Sequence, residues 1–407
     1  MCGQTASRFV FPEFRGRCIE SLNERMTARP VYLDNNATTP LDPRALDRMD
    51  ECWRNAFANP GSQHGFGSSA RQVLEDSRES MASILNADPS ELIFTSGGTE
   101  SINAAVHGFT FGRRGVIAVT AGEHPATLRA AEKTFLQGCG IATLAVDSGG
   151  RLRNDRLDQL PWDELILVCV ILAHNETGVI QDVRRLSELC RQHRVPLLLD
   201  AVQAVGKIPV NFHALGATSL AFGAHKFHGP RGVGGLLLRQ GTRLPALLQG
   251  GHQEHGRRAG TEPVPLIAGM AAALESWQSE FVERSGRVTC LRDRLQESLQ
   301  TRCAPAIVHG QDADRLPNTL SIAFPGIPGE SLLVNLHLAG IACSLGSTCA
   351  SGAAEAAPSL LAMGIPAEVC KSSVRFSLSC QNTGAEMDDA AERIVAVIER
   401  MRSEGVR

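Results

Sequence analysis

Between Asn36 and about Thr261 the sequence alternates short apolar runs with longer amphipathic stretches, and this alternation limits the fold more than any other feature. The runs LILVCVILA (165–173) and VPLLLD (195–200) are apolar at nearly every position. A strand with one wet face would alternate apolar and polar residues, so these runs read as strands covered on both faces. Further strands are expected at Leu92–Thr95, Val116–Thr120, 142–146, Ser219–Gly223 and 233–239. Between them SARQVLEDSRESMASILN, TESINAAVHGF, PATLRAAEKTFLQ and VRRLSELCRQH carry helical spacing. Strands alternating with helices predict an α/β fold on a mostly parallel, seven-stranded sheet.

After Pro265 the texture changes. A long helical stretch (266–300) is followed by a strand (TLSIAF), a helix (ESLLVNLHLAG), the loop CSLGSTCASGAAEAAPS, a strand (SSVRFSLS) and a final helix from Ala385. That order suggests a smaller α+β unit. The expected division is an N-terminal extension (1–30), a large α/β domain (31–265), and a long linking helix with a small C-terminal domain (266–407).

The formal net charge of −3 gives no electrostatic reason to bind nucleic acid or an anionic membrane. No apolar run approaches the roughly 18 residues of a spanning helix. The first thirty residues hold several arginines but lack the apolar stretch of a secretory signal, and read as a flexible extension with Met26 as a natural start. The twelve cysteines show no CxxC pair, which argues against a zinc site or a compact disulfide framework. Most read as reduced, buried residues of a cytoplasmic protein.

Five places carry chemistry. In FGAHKFHGPRG, Lys226 follows an apolar strand among small residues. A lysine is usually solvated, but one partly desolvated there would favour its amine, as Schiff-base chemistry requires. In LLLDAVQAVG, Asp200 ends an apolar strand, where α/β sheets gather ligands. It could pair with the ring nitrogen of pyridoxal phosphate, with Gln203 a turn further on for the ring oxygen; it could also simply cap a helix. LIFTSGGTES reads as strand, Gly-rich turn and helix, with Gly97, Gly98 and Thr99 in the outline of a phosphate cradle. Such a turn is more often structural, and gains weight only in combination. Cys349 lies on a loop of small and polar residues, unlike Cys169 within LILVCVILA, and so is available as a nucleophile. Cys343, at the end of an apolar run, is the weaker candidate. Arg375, on an apolar strand, needs an anionic partner, and a substrate carboxylate would serve.

These residues bring a family into view. YLDNNATTPLDP, NPGSQHGFG, FTSGGTES, NETGVIQD, DAVQAVGK, HKFHGPRG, RAGTEPV, LPNTLSIAFPGIPGESLL and VRFSLS occur in the order found in cysteine desulfurases and selenocysteine lyases. The chain resembles these pyridoxal-phosphate enzymes of the class V aminotransferase group (fold type I) from Tyr32 to about Asp388. The loop GSTCAS is similar to the subgroup with a long catalytic loop. The resemblance implies that Lys226 carries the cofactor, Asp200 pairs with its ring nitrogen and Gln203 with its hydroxyl. It implies that His124, in AGEHPATL, stacks on the ring and handles protons, with Asn175 nearby. Gly98, Thr99 and His225 would hold the phosphate, joined by Thr261 of a second subunit in a homodimer. Asn36 and Arg375 would orient the substrate carboxylate, and Cys349 would take the sulfur as a persulfide. The implied activity is removal of sulfur from L-cysteine, or of selenium from L-selenocysteine, for an acceptor such as an iron–sulfur scaffold.

Two departures stand out. His174 occupies a position where relatives often have asparagine, and Gly223-Ala224 replaces a Ser-Gly pair before His225. Loss of that hydroxyl would remove one phosphate donor, worth about 1 kcal/mol. The competing readings are another class V aminotransferase, which needs no loop cysteine, and a non-catalytic sulfur-carrier scaffold, which needs neither Lys226 nor Asp200.

Overall fold

The computed structural model describes residues 29–345 and 356–405. Almost all of the expected N-terminal extension and the loop carrying Cys349 lie outside the described residues. In chain order the main elements are β1 (Val31–Tyr32), α1 (Pro43–Asn55), α2 (Gly65–Ile84), β2 (Leu92–Thr95), α3 (Gly98–Thr110), β3 (Val116–Thr120), α4 (Pro125–Lys133), β4 (Gly140–Leu144), β5 (Leu165–Ile171), α5 (Arg184–His193), β6 (Leu197–Asp200), β7 (Ser219–Gly223) and β8 (Gly234–Leu238). There follow α6 (Val264–Ser279), α7 (Phe281–Arg302), β9 (Ile307–Val308), β10 (Thr319–Ala323), α8 (Gly329–Leu338), β11 (Ile341–Ala342), β12 (Ser344–Leu345), β13 (Ser373–Ser377) and α9 (Gly384–Ser403).

Seven strands form one sheet in the order β2-β8-β7-β6-β5-β3-β4. Only β8 runs against its neighbours, so the sheet is mostly parallel, as the apolar runs predict. Every residue of β5 and β6 is buried. Each such Val, Leu or Ile contributes about 1.5–3 kcal/mol on burial, and β2, β7 and β8 are likewise buried at every residue. Strand β4 begins two residues before the predicted run because Val116 of β3 pairs with Gly140, while Val146 turns to bridge Leu152 instead.

A second sheet, antiparallel in the order β12-β13-β10-β9, is backed by α7, α8 and α9 around its own core of Leu295, Phe324, Leu336, Phe376 and Ile394. Val31 and Leu33 join this second core, and β1 pairs with β11.

The stretch expected as one long helix is two. The chain breaks at Glu280, where φ is −116° and ψ is 14°. Ile267, Met270, Leu274 and Trp277 of α6 pack in the first core with Ala45 and Met81. Val288, Leu291, Leu295 and Leu299 of α7 pack in the second. One straight helix has one apolar stripe, and the kink lets the chain serve both. Periodicity in sequence does not show it, because good helical spacing continues on each side. Among the described residues no helix is long and apolar enough to cross a membrane.

Candidate active site

The carboxyl ends of five strands and the segment 36–37 enclose a cavity of about 370 Å3, a size typical of ligand sites. Asn36, Gly98, Thr99, His124, Asn175, Asp200, Gln203, His225, Lys226 and Arg375 all line it, whereas Gly97, Cys343 and Thr261 do not. Thr261 is exposed on the segment before α6, and Cys349 is outside the described residues.

The strand ends supply the first wall. Asp200 closes β6, and its Oδ1 accepts from the backbone N–H of Val202 at 3.0 Å. Burial pushes its carboxyl up to about 6, against the pull of the Val202 N–H and the Lys226 charge. It makes no ion pair among the described residues. Lys226 ends a short turn after β7 and donates from Nζ to the carbonyl oxygens of Asn36 at 2.7 Å and Ala37 at 2.8 Å. Burial, then the Arg375 guanidinium, pulls its ammonium down to about 8, with Asp200 and Asp34 opposing.

Helix α3 begins at the cavity. Gly97 has φ of 152°, and a Cβ at Gly98 would run into Cγ2 of Val202, so only glycine lets the helix start this close to the end of β6. The first N–H groups of α3 and the Thr99 side chain are thereby presented to the cavity. His225 sits alongside, its Nδ1 3.2 Å from Thr38 Oγ1. Burial, followed by the Lys226, Arg231 and Lys207 charges, lowers it to about 4, so it is neutral at pH 7.

His124 caps α4, its Nδ1 accepting from the Ala126 N–H at 3.1 Å. Burial and then the Lys226 charge lower its pKa, which leaves the ring neutral. With Nδ1 an acceptor, the hydrogen resides on Nε2. The two departures also find places here. His174 Nε2 lies 2.9 Å from the Gly122 carbonyl, and its Nδ1 accepts from the Glu176 N–H at 3.2 Å, tying the turn before Asn175 to the loop before His124. A Cβ at Gly223 would stand 3.2 Å from the Gly98 nitrogen, so a serine there would have to push on the start of α3.

The second wall is made by Asn36 and Arg375. Arg375 donates from Nη2 to Asp34 Oδ1 at 2.8 Å and from Nη1 to the Asn175 carbonyl at 2.9 Å. The anionic partner that the strand arginine requires is thus already present in the chain as Asp34. The amide of Asn36 gives both hydrogens away, to the Asn175 carbonyl and to Thr319 Oγ1. Its Oδ1 accepts from Lys207 and from Asn318.

Sequence reasoning passed over Glu123 and Lys207. Glu123 is buried beside His124, with Oε1 accepting from the Ile171 N–H at 2.5 Å. Burial, then the charge of Asp200, pushes it up to about 8, so it stands protonated at neutral pH. Lys207 is 8% exposed. Both lie inside motifs quoted for their neighbours, AGEHPATL and DAVQAVGK; nothing in one sequence shows that these two charged residues point inward.

With this geometry in view, likeness to known proteins is informative. The family model described as aminotransferase class-V matches residues 31–389. A cysteine desulfurase of Nostoc sp. is 39% identical over 375 residues, covering 92% of this chain and 94% of that protein. Among solved structures, a NifS-like protein matches with a TM-score of 0.85 at 35% identity, covering 91% of this chain and 100% of that one. The structure described as SspA in complex with cysteine matches with a TM-score of 0.75 at 25% identity, covering 86% of this chain and 99% of that one. Sheet order, site and sequence agree: the chain belongs to the class V aminotransferase family, among the cysteine desulfurases.

Proposed function

We propose that this chain takes sulfur from L-cysteine, releases L-alanine and keeps the sulfur as a persulfide on Cys349, with pyridoxal 5'-phosphate as cofactor. The observation that carries the reading is one cavity holding a buried carboxylate without a cationic partner among the described residues, a helix N-terminus and a lysine whose pKa is drawn toward neutrality. That donor set suits a protonated pyridine ring, a phosphate and a carbonyl carbon, respectively. Bound there, the cofactor supplies an electron sink for the charge left when the substrate loses its α-proton.

The chain's own residues do the rest. Nζ of Lys226 is the covalent anchor. Asp200 holds a proton on the ring nitrogen, and burial among apolar strands makes that pairing strong. Gln203 faces the ring oxygen. Gly98, Thr99 and His225 take the phosphate, and Thr261 of a second subunit in a homodimer completes its hold. His124 and Asn175 bound the ring. Arg375 and Asn36 orient the substrate carboxylate, for which Asn36 would have to release one of its present partners. The thiolate of Cys349 then attacks the substrate sulfur: an S–S bond forms, the Cβ–S bond breaks, and its electron pair stays with the carbon skeleton, which is protonated to alanine. A protein such as an iron–sulfur scaffold would collect the persulfide sulfur.

Incubation of the cofactor-loaded protein with L-cysteine alone tests this. Alanine should accumulate with no keto acid present. A requirement for a keto-acid acceptor would instead make the protein a transaminase.

A further inference from the structure

Lys207 is buried beneath the cavity and has no acidic partner among the described residues. Its Nζ donates to Asn36 Oδ1 at 2.8 Å and to Gln203 Oε1. Gln203 in turn donates from Nε2 to the backbone carbonyl of Asn36 at 2.9 Å. An amide can be turned end for end at little cost in shape, so its orientation must be imposed by its partners. Here both ends are fixed. The Asn36 carbonyl can only accept, which demands Nε2 on that side. The amine of Lys207 spends its hydrogens on two oxygens, which demands Oε1 on the other. Burial with neutral partners drives the pKa of Lys207 well down, with the Lys226 and Arg375 charges adding to the effect. Even a neutral amine retains the two hydrogens that this arrangement uses.

We infer that Lys207 is a positioning residue: it locks the amide of Gln203 so that the second Nε2–H faces the cavity. This rests on the reading of the cavity as a cofactor site, because Gln203 is the residue that faces the ring oxygen there. Without Lys207 only the Asn36 carbonyl opposes turning of the amide, and every turned Gln203 sets Oε1 against an electron-rich ring oxygen, a repulsive contact in place of a donor. The same amine also holds Asn36 Oδ1, to which Asn318 donates at 3.0 Å. The lock is therefore tied to the loop that leads into β10 of the second sheet. Removing it loosens both residues at once, although Lys207 does not line the cavity itself.

The test measures the dissociation constant of pyridoxal phosphate with the full-length protein freed of cofactor, together with the pH midpoint of the visible band of the loaded protein. It compares wild type, Lys207→Met, Gln203→Ala and the double variant. Lys207→Met should weaken binding about tenfold, the size of one to two hydrogen bonds, and should move the pH midpoint. In the Gln203→Ala background the same change should have little further effect, because the residue acts through Gln203. Lys207→Arg, which only donates, should recover most of the affinity, whereas Lys207→Gln, which can present either end, should not. Unchanged binding and midpoint in Lys207→Met, or an equal loss in both backgrounds, would overturn the inference. So would failure of Met, Gln and Arg variants alike to fold, which would make Lys207 a residue of stability only. A wild type that binds no pyridoxal phosphate would instead overturn the cofactor reading.

Discussion

The two walls of the cavity are built in different ways. On the first, Gly98, Asp200 and Lys226 stand where a buried strand ends and the next turn or helix begins. The backbone of each is placed by the strand it ends or follows, on a sheet whose central strands are buried throughout. On the second wall nothing is local. Arg375 meets Asp34 across 341 positions of sequence, and Asn318 meets Asn36 across 282. The segment 34–37 leaves the second core, bridges to Ser377 and enters the site beside Lys226. The first wall rests on the buried sheet, and the second rests on the contact between the two cores. On the proposed reading, the cofactor is held by the first wall and the substrate carboxylate is met by the second.

Substitutions can break this contrast, and the largest effects belong to the first wall. Lys226→Ala should remove the covalent hold on the cofactor, with loss of its visible band and a fall in alanine formation of about 10³-fold or more. Asp200→Asn should lower kcat by about 10²-fold, the usual cost of removing one preorganised charge, while leaving KM for L-cysteine nearly unchanged. Because the Asp200 carboxyl in the cofactor-free protein is raised to about 6, it is neutral below that pH and charged above it. Cofactor affinity of the wild type should therefore fall as pH drops through 6, and this limb should vanish in Asp200→Asn.

Effects on the second wall should be smaller and of another kind. Arg375→Lys keeps the charge but loses the fork that reaches Asp34 and Asn175 together. It should raise KM for L-cysteine about tenfold with a lesser change in kcat. A kcat loss as large as that of Asp200→Asn would show that the two walls do not divide the work in this way. At the break between the helices, Glu280 pairs with Arg44 and Arg284 at the surface. Glu280→Ala should cost less than about 1 kcal/mol in thermal unfolding, since the kink is set by the two cores rather than by that ion pair.

The same contrast explains what could be read in the sequence. The seven-stranded sheet was legible from its apolar runs, and with it Asp200, Lys226 and the start of α3, because a strand end and its ligand are a few residues apart. The second sheet was legible only in part. Strands β9, β11 and β12 have two residues each, too few for any periodicity. The kink at Glu280 was hidden because helical spacing runs through it. The partners of Arg375 and Asn36 depend on pairings hundreds of residues apart, and the inward turn of Lys207 and Glu123 depends on tertiary burial, so no local pattern marks them.

The central claim is that Cys349 receives the sulfur. The most direct test is mass measurement of the peptide carrying Cys349 after the loaded protein has turned over L-cysteine without any reductant. The peptide should be heavier by one sulfur atom, in step with the alanine formed. Alanine formed with no added sulfur on Cys349, or with the sulfur on Cys343 instead, would contradict the account.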